Sequence, residues 1–243
     1  MPSLEKRVSS TRREVEQRRG ARPLAQLEQA VEALAPIRPF TESVAGEEIS
    51  FVVRLKAAES AVCDLAESAE VDGLAAAHDA LSGLASMTQL PLLLTDMIVD
   101  RYQLFEARLS GAGGVVLIAA AFDDEDEQLG DLYGVAGDLG LDVIVEVASE
   151  REIEAVLDLL DPDSFLIRNR SDDGDGAVDF ERTFSLLEEV PAGKMVVSQG
   201  GIRHRDAVVE LERAGVDAAI LGPWAVAGDL AGTLAMLRGD ARS

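Results

Sequence analysis

Cysteine and long apolar runs are nearly absent from the sequence, and each scarcity excludes a class of protein. Cys63 is the single cysteine, so no internal disulfide and no cysteine-based metal cluster can form, and we interpret it as a small buried hydrophobe. No apolar run approaches the roughly 18 residues of a membrane-spanning helix. The first 19 residues are charged throughout and lack the apolar core of a signal peptide. We therefore expect a cytoplasmic protein that does not contact a membrane.

Positive charge is also scarce, and lysine is the scarcest basic residue. The formal net charge is -23 at pH 7, and the 22 lysines and arginines include only three lysines. Such an acidic chain is unsuited to nucleic acid or to an anionic membrane surface. The composition is typical of a high-salt cytoplasm, but a GC-rich genome produces a similar bias, and both explanations stay open. A hydrophobic fraction of 47% over 243 residues is enough for the core of one barrel or of two small domains.

Apolar runs of strand length alternate with helical patterns through most of the chain. Around the centre, a strand at Leu90–Leu94, an amphipathic helix at Tyr102–Leu109 and a strand at Val115–Ala120 predict a βαβ unit. The alternation continues, which predicts an α/β fold, a parallel (β/α)8 barrel of the TIM type. Further strands are predicted at Asp142–Val147, Ser164–Arg168, Lys194–Ser198 and Ala218–Leu221, and further helices at Leu129–Leu139, Glu150–Leu160, Phe180–Glu189 and Arg205–Ala214.

The segment before the first strand is predicted to be helical. Residues 3–35 contain two helical patterns, because Pro23 restarts the chain and apolar residues recur at helical spacing after it. Pro36 and Pro39 end the second pattern. We interpret residues 1–48 as a cap that closes the bottom or side of a barrel formed by residues 49–243, so that 1–243 is a single domain.

The first βα unit is predicted to be truncated or irregular. Ile49–Lys56 is typical of a buried strand, and the next strand-like run is residues 61–65. Only four residues separate the two, whereas a parallel crossover needs about a dozen or more. Either residues 61–65 form a short antiparallel return, or they are helical and one barrel strand is lost or displaced. Residues 73–87 are predicted to be helical.

A specific motif runs through the central βαβ unit. It consists of Thr95-Asp96-Met97-Ile98 at a strand end, Asp100-x-Tyr102-Gln103 before a helix, and Gly111-Ala112-Gly113 after it. This frame resembles the centre of indole-3-glycerol-phosphate synthase, a tryptophan-pathway enzyme on a (β/α)8 barrel. The resemblance extends to the helical extension and to Arg38-Pro39-Phe40 before the first strand. It implies closure of a ring on a phosphorylated anthranilate derivative, with loss of carbon dioxide and then water, and neither a cofactor nor a metal.

Five positions carry residues that the resemblance implies are functional. In such barrels the active site lies at the carboxyl ends of the strands. Lys56 and Glu146 match catalytic positions, and Arg170 matches an arginine at the end of strand six. Gly201 and Gly222 match glycines whose backbone amides approach a phosphate group, a task that requires no side chain.

Other strand-end positions depart from the family pattern. Thr95 occupies the place of the general-acid lysine, and a hydroxyl group cannot supply that charge. Arg54 and Gln199 occupy the places of two glutamates. Arg168 occupies the place of an asparagine, because Asn169 is one residue out of phase and is predicted to face the other side of the strand.

Several further residues have a structural interpretation beside a functional one. Trp224 takes the place of a phosphate-loop serine, and it either stacks on an aromatic ligand or packs against the protein. His78 and His204 are interpreted as structural or surface residues. The acidic segment 123–128 is predicted to be a loop or the start of a helix, with solvent-facing charge rather than a metal site. Segment 171–176 is predicted to be a loop, and it resembles an EF-hand only loosely because it lacks the closing glutamate.

Four cations, Arg54, Lys56, Arg168 and Arg170, fall at predicted strand ends in this acidic chain. They repel one another unless an anion lies among them, so we expect a small anionic, phosphorylated ligand, and the alternative is pairing with carboxylates. The candidate binding residues are Lys56, Arg168, Arg170, Gly201 and Gly222, and the candidate catalytic residues are Lys56 and Glu146.

Two functions remain open. The retained Lys56, Glu146 and Arg170 favour an active family enzyme, a carboxy-lyase acting on the usual or a modified substrate. Thr95, Arg54 and the missing first βα loop favour a member without that chemistry, which binds a phosphorylated or carboxylated molecule or an unidentified protein partner. For the mechanism we favour the second interpretation, so the standard activity is expected to be lost or very weak.

Overall fold

Eight parallel strands close into a barrel, and their order around the axis is their order in the sequence. The structure is a computed structural model that describes residues 3–122, 126–171 and 176–240. It confirms the predicted (β/α)8 barrel with an N-terminal helical extension. Of the acidic segments, residues 123–125 and 172–175 lie outside the described residues, and residues 126–128 form the start of a helix. The strands are β1 Ser50–Arg54, β2 Gly73–Ala76, β3 Leu92–Leu94, β4 Gly114–Ile118, β5 Asp142–Val147, β6 Ser164–Arg168, β7 Met195–Gln199 and β8 Ala218–Leu221.

Helices precede the barrel and follow each of its strands. After β4 a short 3-10 helix, Ala119–Phe122, comes before the α-helix. Among the described helices, none combines the length and the apolar character that a membrane span requires. The α-helices are α1 Leu4–Ala21, α2 Leu24–Glu32, α3 Thr41–Val44, α4 Ser60–Ser68, α5 His78–Ala85, α6 Arg101–Leu109, α7 Asp126–Asp138, α8 Glu150–Leu159, α9 Arg182–Leu187, α10 Arg205–Ala214 and α11 Leu230–Arg238.

The strands divide the core into two layers. Alternate side chains face the inside of the barrel, and the others pack against the surrounding helices. Continuing the inward series by two residues places Arg54, Glu146, Arg168 and Gln199 inside the rim at the carboxyl ends of their strands. The inward layer includes Val52, Ala75, Leu93, Val116, Ile144, Leu166, Val197 and Ile220.

The amino ends of the strands are closed by the segment just before β1. Phe40 and Val44 are fully buried and belong to the inward layer of the core. Asp142 at the start of β5 accepts hydrogen bonds from the backbone N and the Oγ1 of Thr41, both at 2.7 Å. The cap that was predicted for the bottom of the barrel is therefore formed by α3 and Phe40.

The expectation of a truncated or irregular first βα unit was wrong, because this unit is complete. The helical alternative for residues 61–65 is the observed one, since they lie within α4. The displaced strand is β2, which pairs with β1 in parallel through Val52 and Gly73. The predicted helix over 73–87 begins only at His78. What is short is the connection from β1 to α4, which spans only residues 55–59.

Helix α1 lies near the carboxyl ends of β3 and β4, not at the bottom of the barrel. Its Leu4 and Val8 pack against the inward layer of the core, and it contacts the 3-10 helix after β4. Further along α1, Arg18 forms an ion pair with Glu106 of α6 at 2.9 Å. The first predicted helix is confirmed. Of its two predicted places, the bottom of the barrel is wrong for α1, which packs against α6 at the side and borders the mouth.

Candidate functional site

An ion pair joins two strand ends inside the mouth. Nε of Arg168 lies 2.7 Å from Oε1 of Glu146, and the two side chains are only 16% and 11% exposed. The register aligns Glu146 with Leu166, two residues before Arg168, so the two side chains share the inward face of neighbouring strands. One of the four predicted cations is therefore paired with the candidate catalytic carboxylate.

The two cations of β1 lie apart from this pair. Arg54 and Lys56 are exposed, and neither forms an ion pair with a carboxylate anywhere in residues 3–122, 126–171 or 176–240. Arg54 is aligned with Ala75 of β2, a small neighbour, and the short segment 55–59 leaves this side of the rim uncovered. The predicted cluster is thus divided, with Arg54 and Lys56 at the end of β1 and Arg168 and Arg170 at the end of β6.

The end of β6 shows why Asn169 does not take the asparagine role. Asn169 is fully buried, and its Nδ2 donates to Oγ1 of Thr183 at 2.8 Å, to Oγ of Ser198 at 3.3 Å and to the carbonyl of Gly200 at 3.0 Å. It therefore faces α9 and not the mouth, as its phase predicted. Arg170 is exposed, and its Nη1 donates to the carbonyl of Gly176 at 2.5 Å, within its own loop.

Thr95 presents no charge at the end of β3. Its side chain is half-buried, and its Oγ1 lies 3.4 Å from the carbonyl of Ala76 in a weak hydrogen bond. The following Asp96 accepts a hydrogen bond from the backbone N of His78 at 2.8 Å and so holds the start of α5. The predicted structural role of His78 is consistent with this contact, although only its backbone takes part.

The Asp-x-Tyr-Gln motif holds α1 and the loop after β3 in place. Gln103 is buried, donates to the carbonyl of Met97 at 2.8 Å and accepts from the backbone N of Val99 at 2.9 Å. Asp100 caps α6 and pairs with Arg19 of α1 at 2.6 Å. This motif carries the clearest part of the resemblance. Its contacts are structural, since they consist of packing and hydrogen bonds, and they include no catalytic group.

The loops after β7 and β8 meet at Trp224. A β-carbon on Gly222 would lie 3.0 Å from Cδ1 and 3.3 Å from Nε1 of this indole, and Cζ of Arg203 lies 5.0 Å from the centre of its ring. Gly200 and Gly201 have φ angles of 106° and 88°, backbone conformations that residues with a β-carbon rarely adopt. Trp224 is half-buried and packs against the core, so the packing interpretation holds. Sequence reasoning missed Arg203, whose partner lies on another loop.

A cleft of about 780 Å³ lies beside the strand-end residues rather than over them. It is bounded by α1 on one side and by the loops after β2 and β3 on the other. Most of its lining residues are charged or polar and they carry both signs of charge, so the cleft offers no single charge for a ligand to match. Residues that represent it are Lys6, Arg13, His78, Asp79, Asp96 and Glu106.

Two further residues that were interpreted as structural show no sign of chemistry. Cys63 is fully buried, and burial together with the neighbouring Asp64 and Glu67 raises the pKa of its thiol, which disfavours the reactive thiolate. His204 is exposed in front of α10, and its side chain makes no capping hydrogen bond.

The fold and the strand-end residues define a (β/α)8 barrel with a charged mouth. A sequence model of the family described as indole-3-glycerol phosphate synthase matches residues 69–229, more than half of the chain. A relative of that name from Leuconostoc mesenteroides is 33% identical over 227 residues, which cover 83% of this chain and 85% of the relative. The chain therefore belongs to the indole-3-glycerol phosphate synthase family, which confirms the resemblance.

Other relatives match to different extents. The synthase of Chlorobium phaeovibrioides is 29% identical over 238 residues, 88% of this chain and 91% of its own length. That of Lachnospira eligens is 37% identical over 158 residues, but the match spans only 58% of the relative.

Solved structures support the fold alone, because their identities are low. A 3-hexulose-6-phosphate synthase from Salmonella typhimurium has a TM-score of 0.63 and 15% identity, covering 79% of this chain and 97% of that one. A mutant tryptophan synthase alpha-subunit from Pyrococcus furiosus has a TM-score of 0.60 and 14% identity, covering 78% of this chain and 98% of that one.

Proposed function

We propose that this family member binds a small phosphorylated or carboxylated molecule at the mouth of its barrel, and that it has lost most or all of the standard ring-closing decarboxylation. The observation that carries the proposal is the ion pair between Glu146 and Arg168 at 2.7 Å. A carboxylate whose charge is already compensated stabilises positive charge on a substrate less well. Glu146, which the family resemblance implies is catalytic, is therefore already paired with Arg168 on the next strand.

Two substitutions support the loss of catalysis. Thr95 is neutral, and its hydroxyl lies against a backbone carbonyl, so it offers no cationic acid. Gln199 replaces a carboxylate at the end of β7 with an amide that does not ionise. Because each removed acid–base group typically lowers the rate by about a hundredfold or more, the combined losses leave little of the standard reaction.

Ligand binding is supported by the charges that remain. Arg54 and Lys56 are exposed at the end of β1 and have no carboxylate partner in the described part of the chain. In a protein of net charge -23, such cations gain stability from an anionic ligand. The closed barrel places β1, which ends at Arg54, next to β8, and Gly222 follows the end of β8.

The experiment that tests this function combines turnover and binding. Carboxyphenylamino-deoxyribulose phosphate is incubated with the purified chain, and formation of the indole product is followed by its fluorescence. We expect no turnover above about a ten-thousandth of that of an active family enzyme, in line with the loss of at least two groups. Near-normal turnover would establish the alternative, an active synthase.

Binding is measured separately as the rise in melting temperature with phosphate, at constant ionic strength maintained with chloride. A ligand that binds only the folded chain stabilises it by RT ln(1 + [L]/Kd), so the midpoint increases with phosphate concentration. Benzoate serves as the carboxylate probe in a parallel series. If neither anion changes the midpoint beyond the chloride control, the mouth holds no anion and the proposal fails.

A further inference from the structure

The two walls of the cleft beside the mouth carry opposite charge. One wall is α1, and it contributes every lysine and arginine of the lining, together with Glu5 and Glu14. The other wall is formed by the loops after β2 and β3 and by α6, and its only Asp, Glu, Lys or Arg residues are three carboxylates. The α1 wall is therefore net positive and the barrel wall net negative. The cations are Lys6, Arg7, Arg13 and Arg18, and the facing carboxylates are Asp79, Asp96 and Glu106.

The positive wall keeps charge available for a ligand. Arg18 pairs with Glu106 at 2.9 Å, which ties α1 to the barrel wall at the last α1 residue of the lining. Nε of Arg13 donates to the carbonyl of Ser9 at 3.2 Å. The terminal nitrogens of Arg13 and the exposed ammonium of Lys6 have no acceptor within residues 3–122, 126–171 and 176–240. These two side chains can therefore bind a carboxylate.

The negative wall holds one carboxylate in a fixed position. Asp96 is half-buried, and its Oδ2 accepts from the backbone N of His78 at 2.8 Å. Its Oδ1 has no donor in the described part of the chain, and Asp96 forms no ion pair there. Asp79 is exposed and likewise has no cationic partner among the described residues. A carboxylate that is held by the backbone and keeps a free oxygen is suited to a ligand ammonium group.

The size and the apolar residues of the cleft indicate the rest of the ligand. Its volume of about 780 Å³ is in the range typical of small-molecule sites. Leu94 and Met97 also line it and are only 2% and 7% exposed, so they offer a small apolar surface between the charged walls. None of the residues that the family resemblance implies are functional lines this cleft. A ligand there is therefore separate from the anion site of the mouth.

We propose that the cleft binds a free α-amino acid with an apolar side chain, in its zwitterionic form. A simple anion would be repelled by the barrel wall and a simple cation by α1, whereas a zwitterion matches both walls. The ammonium group binds Asp96, the carboxylate binds Arg13 and Lys6, and the side chain packs against Met97. The bound amino acid thus links α1 to the loops of the barrel. This site does not depend on the proposed function.

The test compares amino acids with analogues that lack one charge. Leucine and phenylalanine are titrated into the full chain by calorimetry at constant ionic strength, up to about 10 mM. For leucine, the analogue without the amine is 4-methylpentanoate, and the analogue without the carboxylate is 3-methylbutylamine. We expect at least one of the two amino acids to bind, and we expect each of its one-charge analogues to bind about tenfold more weakly or less.

Two variants locate the site. Asp96→Asn removes the charge but keeps an acceptor for the backbone N of His78, and Arg13→Gln removes the opposite charge. Each is expected to weaken amino-acid binding about tenfold. Arg22→Gln and Asp64→Asn are the matched controls, since both residues are exposed and lie outside the lining, and they leave the affinity unchanged. Circular dichroism and the melting temperature without ligand establish that each variant is folded.

A combination of ligand and variant separates direct binding from a structural effect. Deleting the ligand amine and replacing Asp96 remove the same interaction, so their effects are not additive. In Asp96→Asn, the amino acid and its analogue without the amine are therefore expected to bind within about threefold of each other. If the two effects are fully additive, Asp96 does not bind the ammonium group and the proposed orientation is wrong.

Three other outcomes overturn the proposal. If neither amino acid binds, the cleft is not an amino-acid site, while the phosphate and benzoate series still tests the mouth independently. If the analogue without the amine binds as tightly as the amino acid, the ligand is a simple anion. If Arg54→Gln weakens binding and Arg13→Gln does not, the amino acid binds in the mouth through its carboxylate, which supports the proposed function and refutes this site.

Discussion

The ring of Phe40 lies so close to Gly73 that a β-carbon on the glycine would be 2.9 Å from Cε2 of the ring. Gly73 begins β2, the strand that sequence reasoning missed, and Phe40 closes the amino end of the barrel. The contact ties the segment before β1 to the second strand. Because of this contact, a substitution at Gly73 tests whether β2 lies against Phe40.

Gly73→Ala is expected to destabilise the protein by about 1–3 kcal/mol, because the added methyl group overpacks a buried contact. Gly134→Ala is the matched control, since nothing lies within 4 Å of its β-carbon position on α7. That change is expected to stabilise by about 0.5–1 kcal/mol through helix propensity. Urea unfolding measures both, and equal effects of the two substitutions would contradict the contact of Gly73 with Phe40.

Glu146→Gln is expected to destabilise the protein by about 2 kcal/mol, because it leaves the largely buried charge of Arg168 without its carboxylate. The same variant is expected to bind phosphate or benzoate more tightly, since one positive charge in the mouth is no longer compensated. The double variant Glu146→Gln, Arg168→Gln is the control, and it is expected to regain part of the stability. A double variant whose loss of stability equals the sum of the two single losses would show that the ion pair is not coupled.

Asn169→Ala is expected to cost about 2–3 kcal/mol of unfolding free energy. The substitution removes a fully buried amide that donates to Thr183, Ser198 and the carbonyl of Gly200, and it leaves buried partners unsatisfied. Chemical denaturation provides the measurement. Asp64→Asn, an exposed change on α4, is expected to alter stability by less than about 0.5 kcal/mol. A small effect of Asn169→Ala would show that water replaces the amide.

Asp72→Asn is expected to stabilise the protein at pH 7 by less than about 1 kcal/mol. Burial raises the pKa of Asp72 above 3.8, although the hydrogen bond from the backbone N of Phe51 opposes the shift. The folded state thus favours the neutral acid, so the stabilising contribution is present below the unfolded pKa and is lost as pH rises through the folded one. The melting-temperature difference between variant and wild type should shrink as pH falls towards 3.8, and a gap that widens instead would refute this sign.

Thr95→Lys alone is not expected to restore synthase turnover. The new amino group would stand where the resemblance implies the general-acid lysine, but Glu146 stays paired with Arg168. Arg54 and Gln199 also remain at the places where the resemblance implies glutamates. The indole-fluorescence assay compares Thr95→Lys with Thr95→Met, which has similar length and no charge. A gain of about a hundredfold for the lysine variant only would show that the missing acid was the single defect.

Sequence patterns predicted the second half of the barrel more accurately than the first. Ser164–Arg168, Arg205–Ala214 and Ala218–Leu221 were predicted with the observed bounds. The second strand, Gly-Leu-Ala-Ala, contains no β-branched or aromatic residue, so its composition favoured a helix. Only its place between β1 and β3 makes this segment a strand. Helix α11 was not predicted.

The candidate site was predictable where it depends on strand periodicity alone. The phase of Arg168 and Asn169 followed from alternation, and the structure places them on opposite faces. The pairing of Glu146 with Arg168 depends on the register between two strands, and the contact of Arg203 with Trp224 depends on two loops. Neither relationship leaves a signal in a single sequence, because the partners are more than 20 residues apart.

The five residues between Arg54 and Ser60 also determine how a ligand enters and leaves. Enzymes that enclose their substrate under a mobile loop often release product only as fast as that loop opens. A connection of this length cannot fold across the mouth on the β1 side. Ligand exchange past Arg54 and Lys56 is therefore expected to proceed without a gating step, at a dissociation rate that the contacts themselves determine. The residence time of a ligand at this side of the mouth is then set by its contacts with Arg54 and Lys56 and not by the opening of a loop.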